Sequence, residues 1–149
     1  MAWLTEHYGL LVTTHLLCAL TFGGAVIFEV LILESLHGVL GAETMMTLEA
    51  GIIRRARKFM PIVVGLLFAS GLAMWHVHFP DPHLMTGSRF GTLLLVKMGL
   101  AGVVLVLFVT ALSLFALGRM RPSIFKAIHL AVFTCVLGIV LLAKGMFYL

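Results

Sequence analysis

Four long apolar stretches are the feature of this sequence that most restricts its fold. They cover about residues 9–36, 59–79, 90–117 and 123–148. Each reaches the ~20 residues that an α-helix needs to cross ~30 Å of hydrocarbon. A segment inside a bilayer must satisfy its backbone polar groups internally, so all four stretches are predicted to be helices. The sequence therefore predicts an all-α integral membrane protein, with an antiparallel four-helix bundle as a single transmembrane domain over residues 1–149.

The composition and the placement of charge agree with this prediction. Hydrophobic residues make up 62% of the chain and charged residues only 11%, against about half and about a quarter in a soluble domain. A net charge of +4 is not interpreted as a nucleic-acid-binding surface, because the basic residues flank the apolar stretches. The lipid bilayer is the expected partner, and no nucleic acid is expected.

Basic residues in the connections predict the orientation of the spans. One group precedes the second span and another separates the third from the fourth: Arg54, Arg55, Arg57, Lys58, Arg119, Arg121 and Lys126. The loop on the opposite face carries only Arg89. Because Lys and Arg favour the cytoplasmic side, the first and third loops are predicted to be cytoplasmic. Both termini are then periplasmic, and the membrane is predicted to be a bacterial inner membrane.

The segment 38–58 mixes Met, Leu and Ile with Glu, which predicts a helix that continues into, or lies on, the membrane face. Glycines such as Gly71 and Gly138 are typical of spans that pack closely, and they also leave room for a flat ligand.

Glu29 and Glu34 lie in the inner half of the first span. They are predicted to pair with basic residues of the cytoplasmic loops or, alternatively, to form a proton path.

Seven histidines are many for so apolar a chain, and an ionisable group within a span is a functional hypothesis by default. A rise of ~1.5 Å per residue places three of the histidines and one lysine in a single layer near the outer ends of the spans: His15, His76, His78 and Lys97. His76 and His78 point in opposite directions on a helix, so only one of them is expected to face the interior. His37 and His129 fall together in a cytoplasmic layer.

Histidines on facing helices of an apolar bundle suit haem b, because imidazole is a good axial ligand and glycines open a slot for the porphyrin. The preferred ligands are His15 with either His76 or His78, and a second haem is predicted between His37 and His129. Lys97 or Arg89 would neutralise a propionate. Each single histidine also has the alternative interpretation of an interhelical hydrogen-bonding group.

A copper site is the second chemistry that the residues allow. His76 and His78 precede His83, with Met74 and Met85 nearby. Imidazole and thioether groups are ligands for Cu(I). The Cys-Xaa-Xaa-Cys-His pattern of covalently attached haem does not occur in the sequence.

Three short patterns carry a family resemblance: His15 followed by Phe22-Gly23-Gly24, Arg54-Arg55 followed by Met60-Pro61 and Gly71, and Leu95-Val96-Lys97. Over roughly the first two thirds of the chain they resemble HemJ-type protoporphyrinogen oxidases and related CopD-like membrane proteins. The resemblance implies a haem b-binding redox protein, with His15 as an axial ligand and Lys97 as a functional basic residue. The additional histidines look more like those of a multi-histidine cytochrome b.

The resulting hypothesis is a b-type cytochrome that moves electrons between a membrane or periplasmic donor and a quinone or partner protein. Three alternatives stay open at this point: a HemJ-like protoporphyrinogen oxidase, a CopD-like copper binder or transporter, and a small assembly subunit of a larger complex. The glycine-rich spans also permit a homodimer.

Overall fold

The regular structure is all helical, with no strand, in the part of the chain that the computed structural model describes, residues 6–78 and 89–145. Its main helices are α1 (Tyr8–Phe28), α2 (Ala42–His78), α3 (Arg89–Ala116) and α4 (Pro122–Gly145). A π-helical stretch, Glu29–Leu33, and a 3-10 helix, Glu34–Gly38, prolong α1. Four helical segments are thus long and apolar enough to cross a membrane. The prediction of an all-α chain with four candidate spans is confirmed at this level.

The chain divides into two compact units, Met1–Val77 and His78–Leu149. The first contains α1, its two short extensions and nearly all of α2. The second contains α3 and α4. The predicted association of all four helices in one antiparallel bundle stays a prediction, and each unit is described by itself.

In the first unit, the buried face of α1 is a stripe of residues four apart, Cys18, Phe22 and Val26. This spacing keeps the three side chains on one side of the helix. The buried residues of α2 include Val63, Val64 and Ser70. The site described below lies at the end of the α1 stripe.

Helix α2 is much longer than the predicted second span, because the helix already begins at Ala42. The segment 42–58 is therefore a helix, as predicted, and it is continuous with the second predicted span. Its placement in or on the membrane face stays a prediction. At ~1.5 Å per residue, 37 residues extend over ~55 Å, well beyond the ~30 Å of a hydrocarbon core. Pro61 lies inside the helix, a position that is tolerated where neighbouring groups satisfy the freed backbone carbonyl.

In the second unit, the turn after α3 is fixed by Gly118, whose φ of 64° is a left-handed conformation that favours glycine. The Gly118 N–H donates to the Phe115 carbonyl at 3.1 Å, and the Arg119 N–H donates to the Leu114 carbonyl at 2.9 Å. This pair of bonds is a Schellman motif, which satisfies the last carbonyls of a helix. Helix α4 then begins at Pro122, whose fixed φ suits a first helical position.

Helices α3 and α4 form an antiparallel hairpin. The rings of Phe115 and Phe125 meet edge to face near the turn, with centroids 5.9 Å apart. Towards the far end, a Cβ atom added to Gly138 would lie 3.2 Å from Leu100 Cδ1. Gly138 thus permits the close helix packing that was expected of it. The bounds of both helices agree with the predicted spans to within one residue up to residue 145.

Candidate functional site

His15 is the histidine whose surroundings in the structure are most defined. It lies on α1 three residues before Cys18, at the end of the buried stripe, and its side chain is half-buried. Its Nδ1 atom is 3.0 Å from the Leu67 carbonyl oxygen and 3.2 Å from Ser70 Oγ. The imidazole therefore joins α1 to the middle of α2.

These contacts define which ring nitrogen of His15 carries the proton. A carbonyl oxygen only accepts hydrogen bonds. The Ser70 hydroxyl, itself in a residue that is only 4% exposed, has a short bond of 2.6 Å to the Leu66 carbonyl and therefore donates its proton there. Both neighbours of Nδ1 are then acceptors, so the Nδ1 atom is the donor. When the ring is neutral, this assignment places the lone pair that can ligate a metal on Nε2.

Gly71 sets how closely the His15 ring approaches α2. A Cβ atom added to Gly71 would lie 3.1 Å from His15 Cε1 and 3.4 Å from Nδ1. The first distance is too short for an ordinary carbon contact. The absence of a side chain at Gly71 therefore allows the imidazole to lie against the helix backbone and to reach the Leu67 carbonyl.

His76, one of the two preferred partners of His15, is exposed and lies five residues beyond Gly71. At ~1.5 Å per residue, it is ~7.5 Å further along α2 than the point that His15 contacts. No hydrogen bond or ion pair joins His76 to another residue of the described part. The side chain of His78, the other preferred partner, lies outside the described residues. The pairing of His15 with either of them stays a prediction.

His37 lies in the 3-10 helix after α1 and is joined to α2 by a contact between its imidazole and the Glu49 carboxylate. Its Nε2 atom is 3.1 Å from Oε1 of Glu49, and the two side chains are 45% and 34% exposed. A half-exposed pair of this kind contributes little to stability, about 0–1 kcal/mol. A carboxylate only accepts hydrogen bonds, so in the neutral ring the lone pair is on Nδ1, and ligation through Nε2 would require this contact to be exchanged.

His129, the predicted partner of His37 in the second haem layer, belongs to the second unit. Its Nδ1 atom lies 2.9 Å from the Phe125 carbonyl oxygen of its own helix. The centroids of the two rings are 4.1 Å apart. As in His15, a carbonyl beside Nδ1 assigns the proton to Nδ1 and the lone pair to Nε2. His37 and His129 lie in different units, so their pairing stays a prediction.

Lys97 lies on α3 in the second unit and is half-buried. Arg89, the other basic residue considered for a propionate, is the first residue of α3 and is exposed. Arg89 was expected in the loop before the third span, whereas the structure makes it the first residue of the helix. The role of both residues beside a propionate stays a prediction.

The residues of the copper alternative are only partly described. In residues 6–78 and 89–145, no three or more His, Cys, Asp or Glu side chains are close enough to hold a metal ion together. His83 and Met85 lie outside the described residues. Axial ligation of haem requires one or two side chains rather than three, so that finding does not bear on the His15 hypothesis.

Two groups at the site were not predicted from the sequence, namely Ser70 and the Leu67 carbonyl. A serine followed by a glycine in an apolar stretch is the signal that could have found Ser70, because a buried hydroxyl needs a partner. The Leu67 carbonyl leaves no such signal, because any residue of α2 has one.

No protein-family model, no curated protein and no solved structure matches the chain. The resemblance to HemJ-type and CopD-like proteins is therefore without support from these comparisons and stays a prediction based on the quoted residues.

Proposed function

We propose that the chain is an integral membrane protein that binds haem b through His15 and transfers electrons to or from a quinone or a membrane partner. The observation that carries the proposal is the hydrogen bond from His15 Nδ1 to the Leu67 carbonyl. Metal-ligating histidines nearly always donate their second ring N–H to a carbonyl, a carboxylate or water. Such a bond fixes the ring orientation and leaves Nε2 as the ligand atom.

Insertion into a bilayer is supported by the side chains that the helices expose. Large apolar residues point outward on several helices, for example Leu20 at 74% and Leu141 at 72% exposed. Contiguous exposed apolar surface is rare on soluble monomers, whereas hydrocarbon solvates it. The proposal places the four helices across a bacterial inner membrane, with residues 37–58 and 118–122 on the cytoplasmic side and both termini in the periplasm.

Fusion reporters test this orientation. Alkaline phosphatase, which is active only in the periplasm, should be active when fused after residue 149 and inactive when fused in the loop after Gly118. Green fluorescent protein at the same two positions should give the reverse result. An active phosphatase at the loop would contradict the proposed orientation, although it would leave His15 as a ligand candidate.

The residues of this chain have separate tasks in the proposed site. Bound haem would supply one-electron redox chemistry at iron. His15 Nε2 would bind the iron, while Leu67 and Ser70 hold the imidazole ring in place. Gly71 sets the depth at which the ring lies against α2. His76 or His78 remains the proposed second ligand, with Lys97 or Arg89 at a propionate and a second haem proposed between His37 and His129.

Purification with a haem supply tests cofactor binding itself. The full chain should be expressed with added haem precursor, extracted in detergent, and measured by the pyridine haemochrome method and by reduced-minus-oxidised spectra. We expect at least one haem b per chain, with Soret and α bands in the difference spectrum. A well-folded protein without pigment after reconstitution with haem would contradict the proposal.

The same preparation distinguishes the alternative functions. Rescue of a porphyrin-accumulating strain by the intact gene would favour a HemJ-like protoporphyrinogen oxidase. Stoichiometric copper that is lost in a His76→Ala, His78→Ala double variant would favour a CopD-like protein. Co-purification with a partner and no pigment would favour an assembly subunit.

A further inference from the structure

One face of α2 carries three cationic side chains around a glycine. Gly51, Arg54, Arg55 and Lys58 line a groove of about 250 Å³, and all four residues are exposed. Spacings of three, four and seven residues place them on one side of the helix. No ion pair or hydrogen bond joins the three cationic side chains to another residue of the described chain. The groove therefore has a high positive charge that no acidic residue of this unit neutralises.

Gly51 forms the floor of this groove. A Cβ atom added there would meet nothing within 4 Å, so close packing does not explain the glycine. Long side chains on a helix lean towards its N-terminus, which brings Arg54 and Arg55 back towards the turn of Gly51. A small anionic group can thus reach the helix surface with a guanidinium on either side.

The same face becomes apolar immediately after Lys58. Ile62 and Leu66 follow at intervals of four residues and are 64% and 49% exposed. Phe59, beside them on the helix, is 44% exposed. The face therefore changes along its length from cationic to lipophilic, and this order matches the headgroup and acyl chain of a phospholipid.

The position of the groove relative to the predicted membrane agrees with this order from headgroup to acyl chain. The second predicted span begins at about Phe59, and the headgroup region extends ~5–8 Å beyond the hydrocarbon on each side. At ~1.5 Å per residue, that distance covers about the last three to five residues before Phe59. Arg54, Arg55 and Lys58 would then lie at the level of the lipid phosphates.

We propose that this face of α2 is a binding site for an anionic phospholipid. Arg54, Arg55 and Lys58 bind the headgroup phosphate, and an acyl chain lies along Ile62 and Leu66. Guanidinium groups bind phosphate through two parallel hydrogen bonds, and juxtamembrane basic clusters attract anionic lipids. The apolar continuation of the face favours a lipid over free phosphate. This site depends on membrane insertion but is independent of haem binding.

Titration of the detergent-purified full chain tests the site. Dihexanoyl phosphatidylglycerol should bind, whereas dihexanoyl phosphatidylcholine and inorganic phosphate should bind much more weakly. An Arg54→Gln, Arg55→Gln double variant should raise the Kd for the anionic lipid by about fivefold for each cation removed. Gly51→Leu keeps every charge and fills the floor of the groove, so it should also weaken binding.

An Arg119→Gln, Arg121→Gln variant is the matched control, because it removes the same charge from the other predicted cytoplasmic loop. We expect its Kd to change by less than about twofold, since the two arginines lie outside the groove. Equal losses in the two double variants, with no effect of Gly51→Leu, would show a response to net charge and overturn the proposal. Equal binding of inorganic phosphate, or a dimer that covers this face and excludes lipid, would also overturn it.

Discussion

Replacement of His15 by Asn should remove the haem spectrum from the purified protein while leaving the helices folded. The Asn side-chain amide nitrogen takes the position of the imidazole Nδ1, so it can still donate to the Leu67 carbonyl, now 3.0 Å from Nδ1. The Nε2 lone pair has no counterpart in Asn. We therefore expect the Soret and α bands to disappear or to shift, with circular dichroism close to that of the wild type.

Thr13→Ala is the matched control on the same helix. Thr13 is exposed, and its hydroxyl donates to the Gly9 carbonyl at 2.9 Å within α1, so its loss should leave the spectrum unchanged. If His15→Asn retains the wild-type spectrum and haem content, His15 is not a ligand. If both variants lose the pigment, the loss reflects damage to α1 rather than removal of a ligand.

Gly71→Leu should have the largest effect on stability among the glycine substitutions of α2. Its Cβ atom would already lie 3.1 Å from His15 Cε1, and the rest of the leucine side chain would displace the imidazole. Overpacking of this kind costs about 1–3 kcal/mol. The displaced ring would also lose its bond to the Leu67 carbonyl, so we expect a lower haem content together with a lower melting temperature in detergent.

Gly65→Leu is the control that distinguishes loss of the His15–Gly71 contact from the general effect of removing a helical glycine. Gly65 lies on the same helix, and an added Cβ atom would meet nothing within 4 Å. Removal of a helical glycine should then stabilise α2 by up to about 1 kcal/mol. A Gly71→Leu protein as stable and as pigmented as Gly65→Leu would show that the His15–Gly71 contact has no part in the site.

The end of α3 and the start of α4 could be predicted from the sequence because strong local signals lie there. Gly118 and Pro122 end one apolar stretch and begin the next, and the structure places the helix ends beside them. The start of α2 was harder to predict, because the segment before Phe59 is amphipathic and carries four basic residues. Such a pattern fits both a helix on the membrane face and one that continues into the span.

The end of the first span was predicted less completely. The apolar stretch over residues 9–36 was expected to be one helix, whereas the structure has a π-helical stretch from Glu29 and a 3-10 helix from Glu34. All three helix types satisfy the backbone internally, and they differ only in which carbonyl each N–H reaches. Hydropathy reports the burial of side chains and contains no information on that choice.

The candidate site could also be predicted only in part. The spacing of histidines gives their approximate depth, and this placed His15 in the outer layer with His76, His78 and Lys97. The depth does not give the rotation of α1 about its axis or its register with α2. The rotation of α1 and its register bring His15 to Leu67, Ser70 and Gly71, more than one helical turn away from His76. Side-chain contacts between the two helices determine both the rotation and the register, and hydropathy along one helix contains no information on those contacts.

The most direct test of the central claim is electron–nuclear double resonance on the ferric protein with 15N-labelled histidine. Ligation by His15 predicts a strong hyperfine coupling from a histidine nitrogen to the haem iron, and this coupling should be lost or replaced in His15→Asn. A ferric haem whose histidine couplings are identical in the wild type and in His15→Asn would contradict the claim.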